Sequence, residues 1–328
     1  MNAFQYARAA DVGSAVATVT AEPDAVFIAG GTEQLNLIKE HIQAPRLLVD
    51  INTLPLTAIE ASEQAVWIGA LARMGDIAAD PAIQDGFPVL AQALLSAASP
   101  QVRGMAAIGG NVLQRTRCPY YRVGNFACNR RDPGSGCAAI GGENRWHAIL
   151  GGSDHCIAVH PSDPAVALLA LDAVVLTEGV SGSRRIPFTE FYLLPGDTPE
   201  RETVLEHGEL IVAIELPVSP VARRSAYLKV RDRASFEFAL VSVAAALDVA
   251  DDGTIRDARL ALGGVAPAPW RAREAEEALR GQILGEATIA HAAEAALAGA
   301  KPQPSNAFKV ELTRRAVVRA LGTVGGLT

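Results

Sequence analysis

The chain has 328 residues, of which 49% are hydrophobic and 20% charged, with a mean hydropathy of +0.18. This composition excludes a disordered or fibrous protein and predicts two or three domains with substantial cores. The formal net charge of −7 argues against a general nucleic-acid binder or a protein of anionic membrane surfaces. Neither a signal-peptide pattern nor a long apolar run is present, so we expect a soluble protein with no export signal of its own.

The front part of the chain has an α/β pattern. The apolar run 25–29, the turn Gly30-Gly31-Thr32 and the amphipathic stretch 33–39 predict strand, glycine turn and helix in that order. Further elements are predicted in chain order: strands at 47–51 and 66–70, a helix beginning at 75, a helix over 88–98, and a helix followed by a strand within 165–176. The prolines at 217–221 predict a linker.

The back part has an α+β pattern. Its first strand is predicted at 227–230, and the apolar runs 241–249 and 255–263 predict a hairpin with its turn at 251–254. Helices are expected within 272–280 and 287–300. A last helix is expected to be capped by Asn306 and to run through Leu321.

The cysteines give the strongest chemical signal. All four, Cys118, Cys128, Cys137 and Cys156, lie within 39 residues, with gaps of nine, eight and eighteen. The surrounding sequence is rich in Gly, Pro, Arg and Tyr and has no apolar periodicity. It therefore predicts an irregular loop held together by its own ligands.

Three kinds of chemistry could use these cysteines. A structural zinc site usually takes its ligands from tight Cys-x-x-Cys turns, which this sequence lacks. Two disulfides are typical of small, secreted, cysteine-rich domains. A 4Fe-4S cluster is wide enough to be reached by thiolates from separate loop segments. His147, His155 and His160 lie nearby and keep a mixed Cys/His site open, although each is expected to be a loop or surface histidine.

Two double-glycine turns give the second signal. They are Ala29-Gly30-Gly31-Thr32 and Ile108-Gly109-Gly110-Asn111. Glycine lets backbone amides approach an anion closely, so the pair could bind a pyrophosphate, although each alone could be only a tight turn. Neither turn fits the G-x-G-x-x-G fingerprint, and no P-loop motif is present.

Together these motifs resemble a known family. The glycine turns, Ser162-Asp163 and Lys229-Val230-Arg231 are similar to the FAD-binding medium subunit of the xanthine dehydrogenase and carbon monoxide dehydrogenase family, over essentially the whole chain. The runs Arg117-Cys118-Pro119-Tyr120 and Pro133-Gly134-Ser135-Gly136-Cys137 look like the FAD and 4Fe-4S subunit of bacterial periplasmic aldehyde oxidoreductase. Within this resemblance, the cluster becomes the favoured use of the cysteines.

The resemblance implies an α+β fold: a two-subdomain PCMH-type (vanillyl-alcohol-oxidase-like) FAD-binding fold with a smaller C-terminal α+β domain of antiparallel sheet and helices. The implied domains are 1–60 and 61–218, which together bind FAD, and 224–328, with a 4Fe-4S loop inserted at 115–158. Cys118, Cys128, Cys137 and Cys156 would hold the cluster. The implied FAD-binding residues are Phe27, Ile28, Ala29, Gly30, Gly31, Thr32, Glu33, Gln34, Ile108, Gly109, Gly110, Asn111, Asp163 and Lys229.

Two of these residues have ordinary structural alternatives. Asp163 could be a helix N-cap and Lys229 an exposed strand residue. The chain also departs from the family at two positions. Ala107 stands where many members have Thr, which removes one hydroxyl contact, and Glu33 occupies a variable position.

The implied function is electron transfer within a molybdenum-containing oxidoreductase. A large molybdenum-cofactor subunit would oxidise the substrate, with aldehydes favoured, and a small 2Fe-2S subunit would pass electrons to FAD, so that no residue of this chain is catalytic. The assembly would be a heterotrimer or a dimer of heterotrimers, cytoplasmic or exported folded with a partner to the periplasm. We expect the cluster to be structural and do not expect NAD as acceptor. The alternatives are a stand-alone flavin- or zinc-binding module and a flavin oxidase that acts alone.

Overall fold

The computed structural model describes residues 2–327. Their strands form three sheets, and helices pack against these sheets. The α+β composition predicted from the sequence is confirmed. Within the described residues, no helix combines the length and apolar character needed to cross a bilayer.

The first sheet is small and parallel, with strand order β1-β3-β2. Its elements are β1 (Gln5–Arg8), α1 (Val12–Ala21), β2 (Ala25–Ile28), α2 (Gln34–Lys39) and β3 (Leu47–Asp50). The predicted strand, glycine turn and helix are confirmed by β2 and α2. Neither β1 nor α1 was predicted; β1 has only four residues and is largely exposed. Asp11 begins α1 through a reciprocal capping box with Ser14.

The second sheet has the order β4-β5-β8-β6-β7, and its paired strands are antiparallel. The strands are β4 (Ile59–Ala61), β5 (Ala65–Gly69), β6 (Val174–Gly179), β7 (Gly182–Pro187) and β8 (Leu210–Pro217). The helices are α3 (Met74–Ala79), α4 (Pro81–Gly86), α5 (Pro88–Ser96), α6 (Pro100–Arg103), α7 (Ile108–Val112), α9 (Asp163–Ala170) and α10 (Phe188–Phe191). Strand β8 was not predicted, although it lies between β5 and β6 and joins the two halves of the sheet.

The four cysteines lie in the cysteine segment, which we define as residues 115–158. Its one helix among the described elements is α8 (Pro119–Arg122), so the predicted irregular loop is confirmed. The Arg131 guanidinium contributes to holding the segment, because it donates to a series of backbone carbonyls. The acceptors belong to Tyr120, Tyr121, Val123, Gly124 and Phe126.

The third sheet is antiparallel, with the order β12-β11-β10-β9. Its elements, after the linker helix α11 (Pro220–Arg223), are β9 (Ser225–Val230), β10 (Val241–Val249), β11 (Ile255–Gly263), β12 (Trp270–Arg271), α12 (Arg273–Leu279), α13 (Glu286–Ala295) and α14 (Phe308–Gly325). The predicted hairpin and three helices are confirmed. The Asn306 cap is wrong: α14 has Ala307 as its N-cap residue, and the Asn306 amide instead donates to the carbonyls of His147 and Ala148.

The cores hold these sheets at fixed positions. The largest cluster of buried side chains covers the second sheet and extends to Tyr227, Ala244 and Ala261 of the third sheet. The cluster under the first sheet likewise includes Leu71 and Leu210 of the second part of the chain. Shared cores therefore fix the geometry of the space between the sheets.

Candidate functional site

A cleft of about 520 Å³ is lined by residues from all three parts of the chain. This volume lies within the range of roughly 300–1,000 Å³ that small-molecule and cofactor sites occupy. The first part contributes the glycine turn after β2, the second contributes α7, and the third contributes Lys229 on β9. Arg115 and Arg117 of the cysteine segment also line the cleft.

Most of the FAD-binding residues predicted from the sequence line this one cleft. They are Phe27, Ala29, Gly30, Gly31, Thr32, Glu33, Gln34, Gly109, Gly110, Asn111, Asp163 and Lys229. Ile28 and Ile108 do not line it: Ile28 is the last residue of β2, and Ile108 is fully buried in the core. Ala107, where a threonine hydroxyl was expected to be missing, is among the lining residues.

The glycines serve different purposes. A Cβ on Gly30 would lie 1.9 Å from the carbonyl oxygen of Met105, and one on Gly109 would lie 2.9 Å from the Ala70 Cβ. Gly31 has a φ of +70°, which disfavours other residues. A Cβ on Gly110 meets no heavy atom within 4 Å. The sequence argument about approach to an anion therefore suits Gly110, whereas Gly30 and Gly109 are required by close contact between segments.

The first glycine turn offers free donors. Among the backbone hydrogen bonds of residues 2–327, the amides of residues 30–33 donate to no carbonyl. Other hydrogen bonds hold the turn in place. The Asn52 side chain donates to the Ala29 carbonyl at 2.9 Å. Arg73 donates to the Asn52 side chain at 2.9 Å and to the Met105 carbonyl at 2.6 Å. Successive free amides in a turn suit an anionic group such as a pyrophosphate.

Asp163 and Lys229 form a buried pair at the side of the cleft. Lys229 Nζ lies 2.8 Å from Asp163 Oδ2, and the Tyr227 hydroxyl donates to Asp163 Oδ1 at 2.7 Å. The Asp163 side chain is 6% exposed and the Lys229 side chain 4%, so Lys229 is not an exposed strand residue. Burial raises the pKa of Asp163, while the neighbouring Lys229 opposes that rise. The N-cap of α9 is Ser162, so Asp163 is free of that role.

The cysteines form a second site. Cys118, Cys128, Cys137 and Cys156 line one small cavity, and all four are free thiols. Within residues 2–327, no three His, Cys, Asp or Glu side chains converge closely enough to hold a metal ion. Four thiols that border one cavity have the donor chemistry of an iron-sulfur or a zinc site.

Polar groups surround the cysteine sulfurs. His147 Nε2 lies 3.1 Å from Cys118 Sγ, and both the Ala158 amide and the Arg130 guanidinium approach Cys156 Sγ, at 3.5 and 3.7 Å. Burial raises the pKa of Cys118 to about 12, because desolvation disfavours the thiolate. A metal bound at these thiols would therefore have to displace their protons.

The three nearby histidines differ in their surroundings. His147 and His160 lie in loops, as expected, but both are buried, 2% and 7% exposed, so neither is a surface histidine. The His147 carbonyl accepts from Lys309 Nζ of α14 and from the side-chain amide of Asn306, just before that helix. His160 packs edge-on against Tyr192 and lines a cavity together with Cys118. His155 is exposed and lies 3.4 Å from Asp197.

The sequence reasoning missed several residues that line the cleft. Arg115 and Arg117 were read as part of the loop, and Phe236 and Phe238 lie in the connection between β9 and β10. Arg117 lies over the Phe238 ring, with its guanidinium carbon 5.1 Å from the ring centroid. The arginine-rich run before Cys118 was the available signal, whereas the connection after β9 carried none.

Comparison with known proteins gives the family. The family described as the FAD binding domain in molybdopterin dehydrogenase matches residues 2–219, and the CO dehydrogenase flavoprotein C-terminal domain matches residues 225–324. The aldehyde oxidoreductase FAD-binding subunit PaoB of Escherichia coli (strain K12) is 46% identical over 323 residues, which cover 98% of each chain.

More distant relatives have the same fold. The carbon monoxide dehydrogenase medium chain of Hydrogenophaga pseudoflava is 28% identical over 97% of this chain and 96% of its own. The solved structure of carbon monoxide dehydrogenase from the same organism, lacking the Mo-pyranopterin moiety of its cofactor, superposes with a TM-score of 0.77 over 99% of this chain and 98% of that one. The chain therefore belongs to the family of FAD-binding medium subunits of the carbon monoxide and xanthine dehydrogenases.

Proposed function

We propose that this chain binds FAD and one 4Fe-4S cluster and is the electron-transfer subunit of a molybdenum-containing aldehyde oxidoreductase. The observation that carries the proposal is the presence of both sites in one chain: the cleft with two glycine turns, and the cavity bordered by four free cysteines. The family supports FAD, and the similarity to the aldehyde oxidoreductase subunit supports the substrate class.

The residues of the chain would divide the task between the two sites. Phe27–Gln34 and Ile108–Asn111 would bind the polar part of FAD, with free amides at residues 30–33, and Asp163 and Lys229 would orient it. Cys118, Cys128, Cys137 and Cys156 would hold the cluster. Bound FAD supplies the exchange between one-electron and two-electron transfer, and the protein positions it and excludes water around it.

The partners would be a large molybdenum-cofactor subunit and a small 2Fe-2S subunit, in a heterotrimer or a dimer of heterotrimers. The domains would be 1–60, 61–218 with the insertion 115–158, and 224–328. Substrate oxidation would take place at the molybdenum cofactor, so it is assigned to the large subunit that would hold this cofactor. The acceptor of electrons from FAD is external to the complex.

Composition of the purified complex tests the proposal. Iron, sulfide, zinc and flavin are measured on the chain isolated anaerobically with its partners, together with an absorption spectrum. About four iron and four sulfide beyond the 2Fe-2S contribution, with one FAD per chain, are expected. One zinc and no flavin, or isolation without partners, would instead favour the stand-alone module.

A further inference from the structure

Helix α2 connects the cleft to the cysteine segment. Glu33 is the N-cap residue of α2 and lines the cleft. Leu37 lies four residues later and so on the same face of the helix. Both side chains contact the cysteine segment, by different interactions.

Glu33 contacts the segment through charge. Its Oε1 lies 2.5 Å from Nη2 of Arg122 and accepts from the backbone amide of Arg115 at 3.1 Å. Nη2 of Arg117 lies 2.5 Å from Oε2, as an ion pair without hydrogen-bond alignment. The Glu33 and Arg122 side chains are 15% and 10% exposed, so solvent screens this group less than a surface ion pair.

Leu37 contacts the segment through packing. It is 2% exposed and forms a small buried cluster with Tyr121 and Cys128, separate from the three larger cores. Cys128 therefore shares a small buried cluster with the helix that follows the first glycine turn, and the partly buried Cys118 packs against the same cluster. A displacement of this part of the segment would remove contacts from both Leu37 and Glu33.

Two of the cysteines adjoin the part of the segment that contacts α2. Cys118 is the N-cap residue of α8, the four-residue helix that carries Tyr121 and Arg122. Cys128 belongs to the small cluster with Leu37 and Tyr121. A group bound by both cysteines would therefore restrain the backbone that places Tyr121 and Arg122 against α2.

We propose that α2 couples the two sites, so that a loaded cysteine segment raises the affinity of the cleft for FAD. Since linkage is reciprocal, bound FAD raises retention of the cluster by the same factor. The inference rests on the proposed function and assigns Glu33 and Leu37 as positioning residues that act through the glycine turn. It accounts for a carboxylate at the rim of the cleft that is paired with arginines of the segment.

The coupling is measured by FAD titration of the deflavinated complex, followed by flavin fluorescence, with iron present and after chelation. In the wild type, FAD is expected to bind at least about fivefold more weakly after chelation, the lower end of typical couplings. In the Glu33→Gln variant, the FAD affinities measured with iron present and after chelation should differ less than in the wild type. Glu40→Gln is the matched control, because Glu40 contacts the same Arg122 at 3.0 Å but does not line the cleft.

Leu37→Ala gives an independent measurement if Glu33→Gln does not assemble. Iron retained by the complex under chelation should increase on addition of FAD in the wild type, and the increase should be smaller in Leu37→Ala. Equal FAD affinities with and without iron in the wild type would overturn the inference. So would a Glu33→Gln variant in which the ratio of these two affinities equals that of the wild type. A wild-type complex that lacks this iron or FAD is recognised by composition alone and contradicts the proposed function itself.

Discussion

The cleft and the cysteine segment are neighbours that are held together in opposite ways. Around the cleft, strands and helices satisfy the backbone and two large cores are shared between the parts of the chain. In the segment, side chains such as Arg131 satisfy carbonyls that no helix or strand covers. The shape of the cleft is therefore fixed by packed sheets and shared cores, whereas the part of the segment around Arg131 is held mainly by hydrogen bonds from a side chain to the backbone.

This difference predicts where each site is sensitive. Substitutions near the cleft should act through packing, because its shape is fixed by close contacts such as Gly30 against Met105. Substitutions in the segment should act through ligands and charge-assisted hydrogen bonds. Four changes test this comparison.

Cys137→Ser should have the largest effect. If the proposed cluster is bound, loss of one thiolate should release most of its iron and lower the free energy of unfolding by about 4 kcal/mol, because the bound cluster would order the segment. The rate of FAD reduction should change less than assembly. Iron analysis, thermal unfolding and rapid-mixing reduction of the complex measure the three quantities. Normal assembly with blocked electron transfer would place the cluster on the electron route and contradict a structural role.

Gly30→Ala should lower the free energy of unfolding by about 3 kcal/mol, because its Cβ has no room beside the Met105 carbonyl. Chemical denaturation measures this. Gly110→Ala is the matched control: its Cβ meets open space, and alanine favours helix α7, so stability should change by less than about 1 kcal/mol. FAD affinity should nevertheless fall in the control. Equal destabilisation by both substitutions would refute the close-contact argument.

His160, which lies just after the cysteine segment, should make the stability of the folded chain fall at acid pH. Burial lowers its pKa to about 4, so between pH 7 and pH 5 the unfolded chain takes up a proton that the folded chain refuses. Stability should fall by about 2 kcal/mol from this group as pH falls through that window.

The variant His160→Gln should remove this share of the pH dependence. Unfolding curves of wild type and variant at both pH values give the difference, and His155→Gln, at an exposed site, is the control. An unchanged slope in His160→Gln would show that His160 does not carry the effect.

Arg131→Met should have the smallest effect on global stability, about 1.5 kcal/mol, because several hydrogen bonds to carbonyls are lost at a partly exposed site. Its local effect should be larger: amide hydrogen exchange should accelerate in the cysteine segment and not in the second sheet. Arg201→Met, at an exposed arginine, is the control. Unchanged exchange in the segment would contradict the role given to Arg131.

The sequence predicted local patterns well. The hairpin of β10 and β11 followed from two apolar runs and a turn, and the first glycine turn was placed between β2 and α2. The grouping of the cysteines around one cavity agrees with their clustering along the chain. These features depend on neighbours in sequence, which periodicity and turn chemistry describe.

Contacts between distant residues could not be predicted. Lys229 could be assigned an exposed position because its partner Asp163 lies 66 residues earlier. Asn306 has the residue type of a helix cap, but tertiary contacts with His147 use its amide instead. The His147 carbonyl likewise accepts from Lys309, 162 residues later. The helix or strand propensity of a residue does not include contacts with residues far away in the sequence.

The contact of Lys309 with His147 also concerns the time at which the protein is made. A ribosome completes the cysteine segment well before it reaches α14, and domains fold in that order. The segment's exit at His147 and Ala148 therefore remains without its final support, from Asn306 and Lys309, until the last helix has emerged. The backbone where the segment ends is therefore completed only when donors 159 and 162 residues later in the chain have been made.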